Sequence, residues 1–148
     1  MEQLDKVRKL FETDRFATEA GIEILEAGDG YAKCKMEITP KLTNAGGLVM
    51  GGAIYTLADL TFAVASNTGQ PATITLDSNI SFLSSSKGHT LIAESSCVKA
   101  GRKTCCYDVT VTDDLGRTVA VVRSNGYRVS DKPLADYAKE GNDYGSKK

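Results

Sequence analysis

The spacing of apolar residues changes period several times along this chain, and each change marks an element. Leu4, Val7, Leu10 and Phe11 recur at helical spacing and predict a short amphipathic helix over the first dozen residues. Residues 21–27, GIEILEA, have strand character, and Gly28-Asp29-Gly30 reads as a turn. Beyond it Ala32, Cys34, Met36 and Ile38 alternate with Lys33, Lys35 and Glu37, the period-two pattern of a half-buried strand. Pro40 ends that strand, and residues 42–49 form an irregular glycine-bearing loop. A central helix is predicted from about Met50 to Asn67. Ile54, Leu57, Ala58, Thr61, Phe62 and Ala65 cover one face of it, and the opposite side is also mostly small or apolar. A helix apolar nearly all round is one enclosed by protein. Gly69-Gln70-Pro71 then breaks the chain. Four β segments follow, over 72–83, 90–100, 104–112 and 118–129. Their connections, residues 84–88, 101–103 and 113–116, all read as hairpin-like.

Helix, two strands, one buried helix and four strands together predict the α+β class, with an antiparallel sheet wrapped around the long central helix. Residues 1–130 are expected to form a single domain, 1–14 being its N-terminal helix. Residues 131–148 turn polar and glycine-rich and are expected to be a mobile C-terminal tail.

Charge and composition mainly exclude. A net charge of −1 with no basic block argues against a nucleic-acid or anionic-membrane surface. The start, MEQLDKVRKLFETDRF, lacks the apolar core of a secretory signal, and the longest weakly polar run is a poor membrane span, so a cytoplasmic protein is expected. The four cysteines have no CxxC spacing, and adjacent Cys105 and Cys106 on a strand point to opposite faces, which predicts reduced thiols. His89 is the only histidine and lies in a turn, so neither a Ser–His–Asp arrangement nor a metal site is well supplied. No cofactor and no metal are expected. Lys99, Arg102 and Lys103 cluster at a predicted hairpin tip, read as a solvated basic turn or as a grip on phosphates. Asp77, Asp113 and Asp114 read as solvent-facing or turn acids, and Phe62, Phe82 and Tyr127 as packing residues.

The chemistry is concentrated in residues 46–66, GGLVMGGAIYTLADLTFAVAS, where Asp59 is the only ionisable group apart from the Tyr55 phenol. A carboxylate is rarely withdrawn from water without compensation, so an acid on so apolar a helix marks a placed functional group. Gly51 and Gly52 stand where the helix begins. There the backbone N–H groups are unpaired, and without a Cβ a ligand oxygen can approach them and be polarised. Asp59 lies about 12 Å further along by helical rise, too far for one chain's donor and acid to meet at one carbonyl. Two antiparallel helices across a dimer interface would bring them together. The alternative at this point is that the glycines permit close packing and that Asp59 is a buried acid satisfied by a threonine or the backbone.

Residues 44–52, NAGGLVMGG, followed by Leu57-Ala58-Asp59 and Ala63-Val64-Ala65-Ser66, resemble the hotdog-fold acyl-CoA thioesterases of the phenylacetate-degradation type. The resemblance runs from about residue 20 to 129 and includes the strand beginning Thr75-Leu76-Asp77 and the hairpin at Lys99. It implies a hotdog fold, a homodimer or homotetramer, and an acyl-CoA substrate. It also implies that Asp59 attacks the thioester or activates a water, and that the Gly51 N–H holds the thioester oxygen. Asn44 matches an asparagine near the reacting centre, Thr75 a residue that assists the water, and Gly52 and Met50 positions beside the substrate. Lys99, Arg102 and Lys103 match the grip on the phosphates of coenzyme A. Met50 departs from the pattern, standing where the family has a histidine, and Gly46 falls where some relatives carry a second. Methionine offers no strong donor and no charge, so the alternative expectation is a protein that binds acyl-CoA as a sensor or carrier without turnover.

Overall fold

The structure, a computed structural model, describes residues 2–140 of the 148-residue chain. Helices α1 (Glu2–Phe11) and α2 (Arg15–Glu19) precede strands β1 (Ile22–Gly28) and β2 (Tyr31–Glu37). A 3-10 turn at Pro40–Leu42 leads to the long helix α3 (Gly51–Asn67). Strands β3 (Thr73–Phe82), β4 (Thr90–Ala100), β5 (Thr104–Asp113) and β6 (Thr118–Arg128) follow, then helix α4 (Leu134–Lys139). The six strands form one antiparallel sheet in the order β1-β2-β4-β5-β6-β3, with α3 lying across its inner face. This is the hotdog arrangement the sequence implies. None of the described helices is long and apolar enough to cross a membrane.

Leu57, Ala58, Val64 and Ala65 of α3 are buried against inward residues of the sheet, among them Met36, Leu91, Ala93 and Val109. Thr61 can be buried in this layer because its hydroxyl donates to the Leu57 carbonyl one turn back, at 2.7 Å. Phe62 meets Tyr107 edge to face, with centroids 5.6 Å apart. Truncating the Phe62 ring would cost about 3–5 kcal/mol. Close approach of helix and sheet depends on Gly126: a Cβ there would lie 2.7 Å from Thr73, 2.8 Å from the Cys105 sulfur and 3.0 Å from the Phe62 ring.

One expectation is corrected. The Ser84–Gly88 connection is not a hairpin, because β3 pairs with β6 and not with β4, so the chain crosses over β5 and β6 to begin β4. Pairing is decided by the inner faces, where the Ser78 and Ser124 hydroxyls meet at 2.7 Å, and a polar linker does not report it. Of the two readings of Asp113 the turn acid holds: it is 2% exposed and ties the crossover to the β5–β6 hairpin. Its carboxylate accepts from the Ser86 hydroxyl at 3.2 Å and from the N–H groups of Lys87, Leu115 and Arg117 at 2.9–3.1 Å. Beyond Ser130 the chain contains α4, with the partly buried Leu134 packed against the core. The rest of the expected tail, residues 141–148, lies outside the described residues.

Strand β3 also carries a bulge. Thr75 pairs with Gly126 and Asp77 with Asn125, leaving Leu76 as an extra residue. The inward side chains therefore run Thr73, Thr75, then Ser78, Ile80 and Phe82, opposite the inward even-numbered residues of β6. The parity switch lets both Thr75 and Phe82 face α3.

Candidate active site

The start of α3 is set by the loop before it. A bridge between Thr43 and Val49 closes that loop, the Asn44 side-chain oxygen accepts from Gly46 and Leu48 N–H at 2.9 and 3.2 Å, and Gly47 takes φ +77°. Asn44 is thus first an organiser of the loop. Met50, 56% exposed, occupies the N-cap position with extended geometry, and its side chain makes no cap. The N–H groups of Gly51 and Gly52 consequently have no acceptor among the described residues. The Phe82 ring stands 3.0 Å from where a Gly51 Cβ would be, and a cavity of about 260 Å³ here is lined by Asn44, Gly51, Phe82 and Ser84–Ser86, among others.

Two turns further on, about 12 Å by helical rise, Asp59 is half-buried on the side of α3 that the sheet does not cover. Its one hydrogen bond among the described residues is a long one, from the Thr75 hydroxyl at 3.4 Å. Burial pushes its pKa above the ordinary carboxylate value and the negative charge of Asp14 adds to this, while the Thr75 bond pulls the other way. A second cavity of about 260 Å³ adjoins the acid, walled by Asp14, Phe16 and Ala17 on one side and Tyr55, Thr56 and Leu60 on the other.

The structure therefore brings Asp59 to Thr75, and Gly51 to Asn44, but leaves the two halves apart within one chain. Gly52, Tyr55, Thr56 and Asp59 leave one side of α3 partly uncovered, so a single chain does not enclose the helix as the sequence led one to expect. Lys99, Arg102 and Lys103 are exposed at the β4–β5 tip. The register row Thr75–Gly126–Cys105–Ala100 spans four strands, which separates the tip from the acid by about 14 Å of sheet.

Two residues went unnoticed in the sequence. Asp14 reaches the cavity only because the chain folds back after α1, and no local pattern announces that. Arg128, 8% exposed, ties the end of β6 to Ser66, Thr73 and Gln70 with three hydrogen bonds of 2.5–2.9 Å.

Comparison with known proteins identifies the family and the fold. The thioesterase superfamily model matches residues 46–120, just over half the chain, including the start of α3 and Asp59. A putative esterase of Archaeoglobus fulgidus is 31% identical over 123 residues, 82% of this chain and 80% of its own. The acyl-coenzyme A thioesterase PaaI of Escherichia coli is 31% identical over 121 residues, 81% of this chain and 86% of its own. The solved structure of that PaaI protein superposes with a TM-score of 0.83 over 88% of this chain and 95% of that one, at 27% identity. A Streptococcus mutans protein solved bound to acetyl CoA gives 0.72 over 75% and 90%, at 30% identity. The chain belongs to the thioesterase superfamily and has its hotdog fold.

Proposed function

We propose that this protein is an acyl-CoA thioesterase whose reaction centre is shared between two copies of the chain. The observation that carries the reading is the separation on α3 of an under-bonded, half-buried carboxylate from an open backbone donor, with a cavity at each. Within one chain they cannot address one carbonyl; across a two-fold axis they can. Strand β3 supports that assembly, being a ten-residue edge strand with Ile74 and Leu76 exposed. Pairing two β3 edges continues the sheet and sets the uncovered sides of two α3 helices toward each other.

In this reading the Gly51 N–H of one protomer donates to the thioester oxygen and stabilises the negative charge that develops there. Asp59 of the other supplies the base or the nucleophile. As nucleophile, its oxygen bonds to the acyl carbon while the C–S bond breaks and coenzyme A leaves as the thiolate; water then opens the anhydride and returns the carboxylate. As base, Asp59 takes a proton from water as that water attacks the acyl carbon; the C–S bond then breaks and coenzyme A leaves as the thiolate, which takes that proton and restores the carboxylate. The Thr75 hydroxyl orients the water in either route. Asn44, Gly52 and Met50 flank the thioester, and Lys99, Arg102 and Lys103 hold the phosphates of coenzyme A. PaaI of Escherichia coli, named an acyl-coenzyme A thioesterase, and the neighbour solved with acetyl CoA support the substrate class.

A second reading rests on Met50, which gives the site a thioether where an imidazole is usual: acyl-CoA is bound and not cleaved. Thiol release across an acyl-CoA panel decides between them. Steady release by wild type and its loss in Asp59→Asn support hydrolysis. Tight binding without release supports a carrier, and equal rates in the two proteins sink the Asp59 mechanism.

A further inference from the structure

Asp14 stands at the N-cap of α2, a position where an aspartate ordinarily accepts from the first-turn N–H groups. Its carboxylate makes no such bond; the Thr18 N–H and hydroxyl both go to the Asp14 carbonyl, each at 3.0 Å. Nor does it form an ion pair among the described residues, since Arg15 beside it turns to Glu19 at 3.6 Å. Asp14, an exposed residue, instead lines the cavity that adjoins Asp59, near enough for its charge to act on that acid. The ionisable groups of that cavity are Asp14 from the α1–α2 turn and Tyr55 and Asp59 from α3, while β3 brings only the neutral Thr75 to the acid. Among the described residues of this chain, two carboxylates share the space with no cation.

We propose that Asp14 is a specificity-determining residue: it sets a second negative charge beside the reacting acid, so the cavity takes acyl groups with neutral or cationic ends and rejects those ending in a carboxylate. The inference rests on the thioesterase reading above. Asp14 is exposed and Asp59 half-buried, so a third carboxylate brought between them is repelled by both, more strongly on the Asp59 side, and none of the described residues of this chain that line the cavity carries a positive charge. The walls suit the accepted class. Phe16, 78% exposed, and Tyr55 present ring faces that accommodate an apolar end or an ammonium. The same charge acts on Asp59, holding its proton more tightly than burial alone would.

Butyryl-CoA and succinyl-CoA have acyl chains of equal length and differ in the terminal charge, so they isolate the effect. Wild type should favour butyryl-CoA in kcat/KM by roughly tenfold or more. Asp14→Asn, nearly isosteric, should narrow that ratio by roughly tenfold, chiefly through the KM for succinyl-CoA, and Asp14→Lys should invert the preference. In parallel, the Asp59 carboxyl titration followed by carbon-13 NMR should move to lower pH in Asp14→Asn, with or without turnover. A ratio unmoved by both substitutions, with wild-type turnover intact and Asp59-dependent, overturns the role of Asp14 and leaves the thioesterase reading standing. If neither thioester is cleaved, the thioesterase reading falls for these substrates. The NMR midpoint then decides: no shift in Asp14→Asn overturns the proposed charge effect.

Discussion

Asp113 and Asp59 are both withdrawn from water, one at the end of β5 and the other midway along α3. Asp113 is met by four donors, three of them backbone N–H groups. Burial works against its ionised form, but the bonds from Arg117, Lys87, Leu115 and Ser86 outweigh it and hold the pKa below the ordinary value. Asp59 has one long bond from a single hydroxyl, faces a second carboxylate, and has its pKa raised. A charge that holds loops together is saturated with donors. The charge proposed for chemistry is left short of them, at a cost in stability that the rest of the fold must carry. The difference separates two acids that look alike in sequence.

The largest effect should come from replacing each by asparagine. Asp59→Asn is expected to lower kcat for a good acyl-CoA by roughly 10²–10⁴-fold while its Tm at pH 7 equals or exceeds that of wild type. Asp113→Asn should show the opposite: a clear fall in Tm, since its amide turns a donor toward donors, with kcat/KM near wild type well below the transition. Calorimetry and thiol release on the two variants test both halves, and a stable, active Asp113→Asn protein would erase the contrast.

Acid titration sharpens it. The pKa of Asp113 is depressed in the fold, so its contribution is present above the ordinary value of 3.8 and is lost as pH falls through the folded value. The pKa of Asp59 is raised, so the cost of its charge is absent below 3.8 and fully present once pH has risen through the folded value. Tm against pH should therefore show Asp59→Asn gaining on wild type as pH rises, and Asp113→Asn losing ground over the same direction. Parallel curves would contradict the assignments.

Thr75→Val removes the one donor to Asp59, so the carboxyl should become a still weaker acid. The acid limb of kcat/KM should move to higher pH, with a rate loss of about tenfold at neutral pH. An unmoved limb would mean the 3.4 Å contact carries nothing. The smallest effect belongs to Gly51→Ala. Its Cβ would press on the Phe82 ring at 3.0 Å, but that ring is 54% exposed and can swing aside. A few-fold rise in KM, relieved by adding Phe82→Leu, is the expected outcome.

The sequence showed the elements well, because each announces itself locally. Strand periods, the turn at Gly28–Gly30 and the apolar stripe of α3 fall within one or two residues of where they are found. Asp59 and Gly51 stood out for the same reason, one as a lone charge and the other as a glycine at a helix start. What was hidden depends on residues far apart. The partnership of β3 with β6, the four donors around Asp113, the buried Arg128 and the presence of Asp14 beside Asp59 all arise from chain return, which no window of a dozen residues contains. Helix α2, at five residues, is too short to show a period at all.

The surplus residue at Leu76 has one more implication. Thr75 and Phe82 are seven positions apart, an odd interval that on an even ladder would send them to opposite sides, yet one attends the acid and the other the amide donor. What this stretch must keep is therefore a tally more than a spelling. Many exchanges of one apolar letter for another should be absorbed here, whereas losing a single codon would tidy the ladder and put the two ends of the proposed reaction centre out of phase.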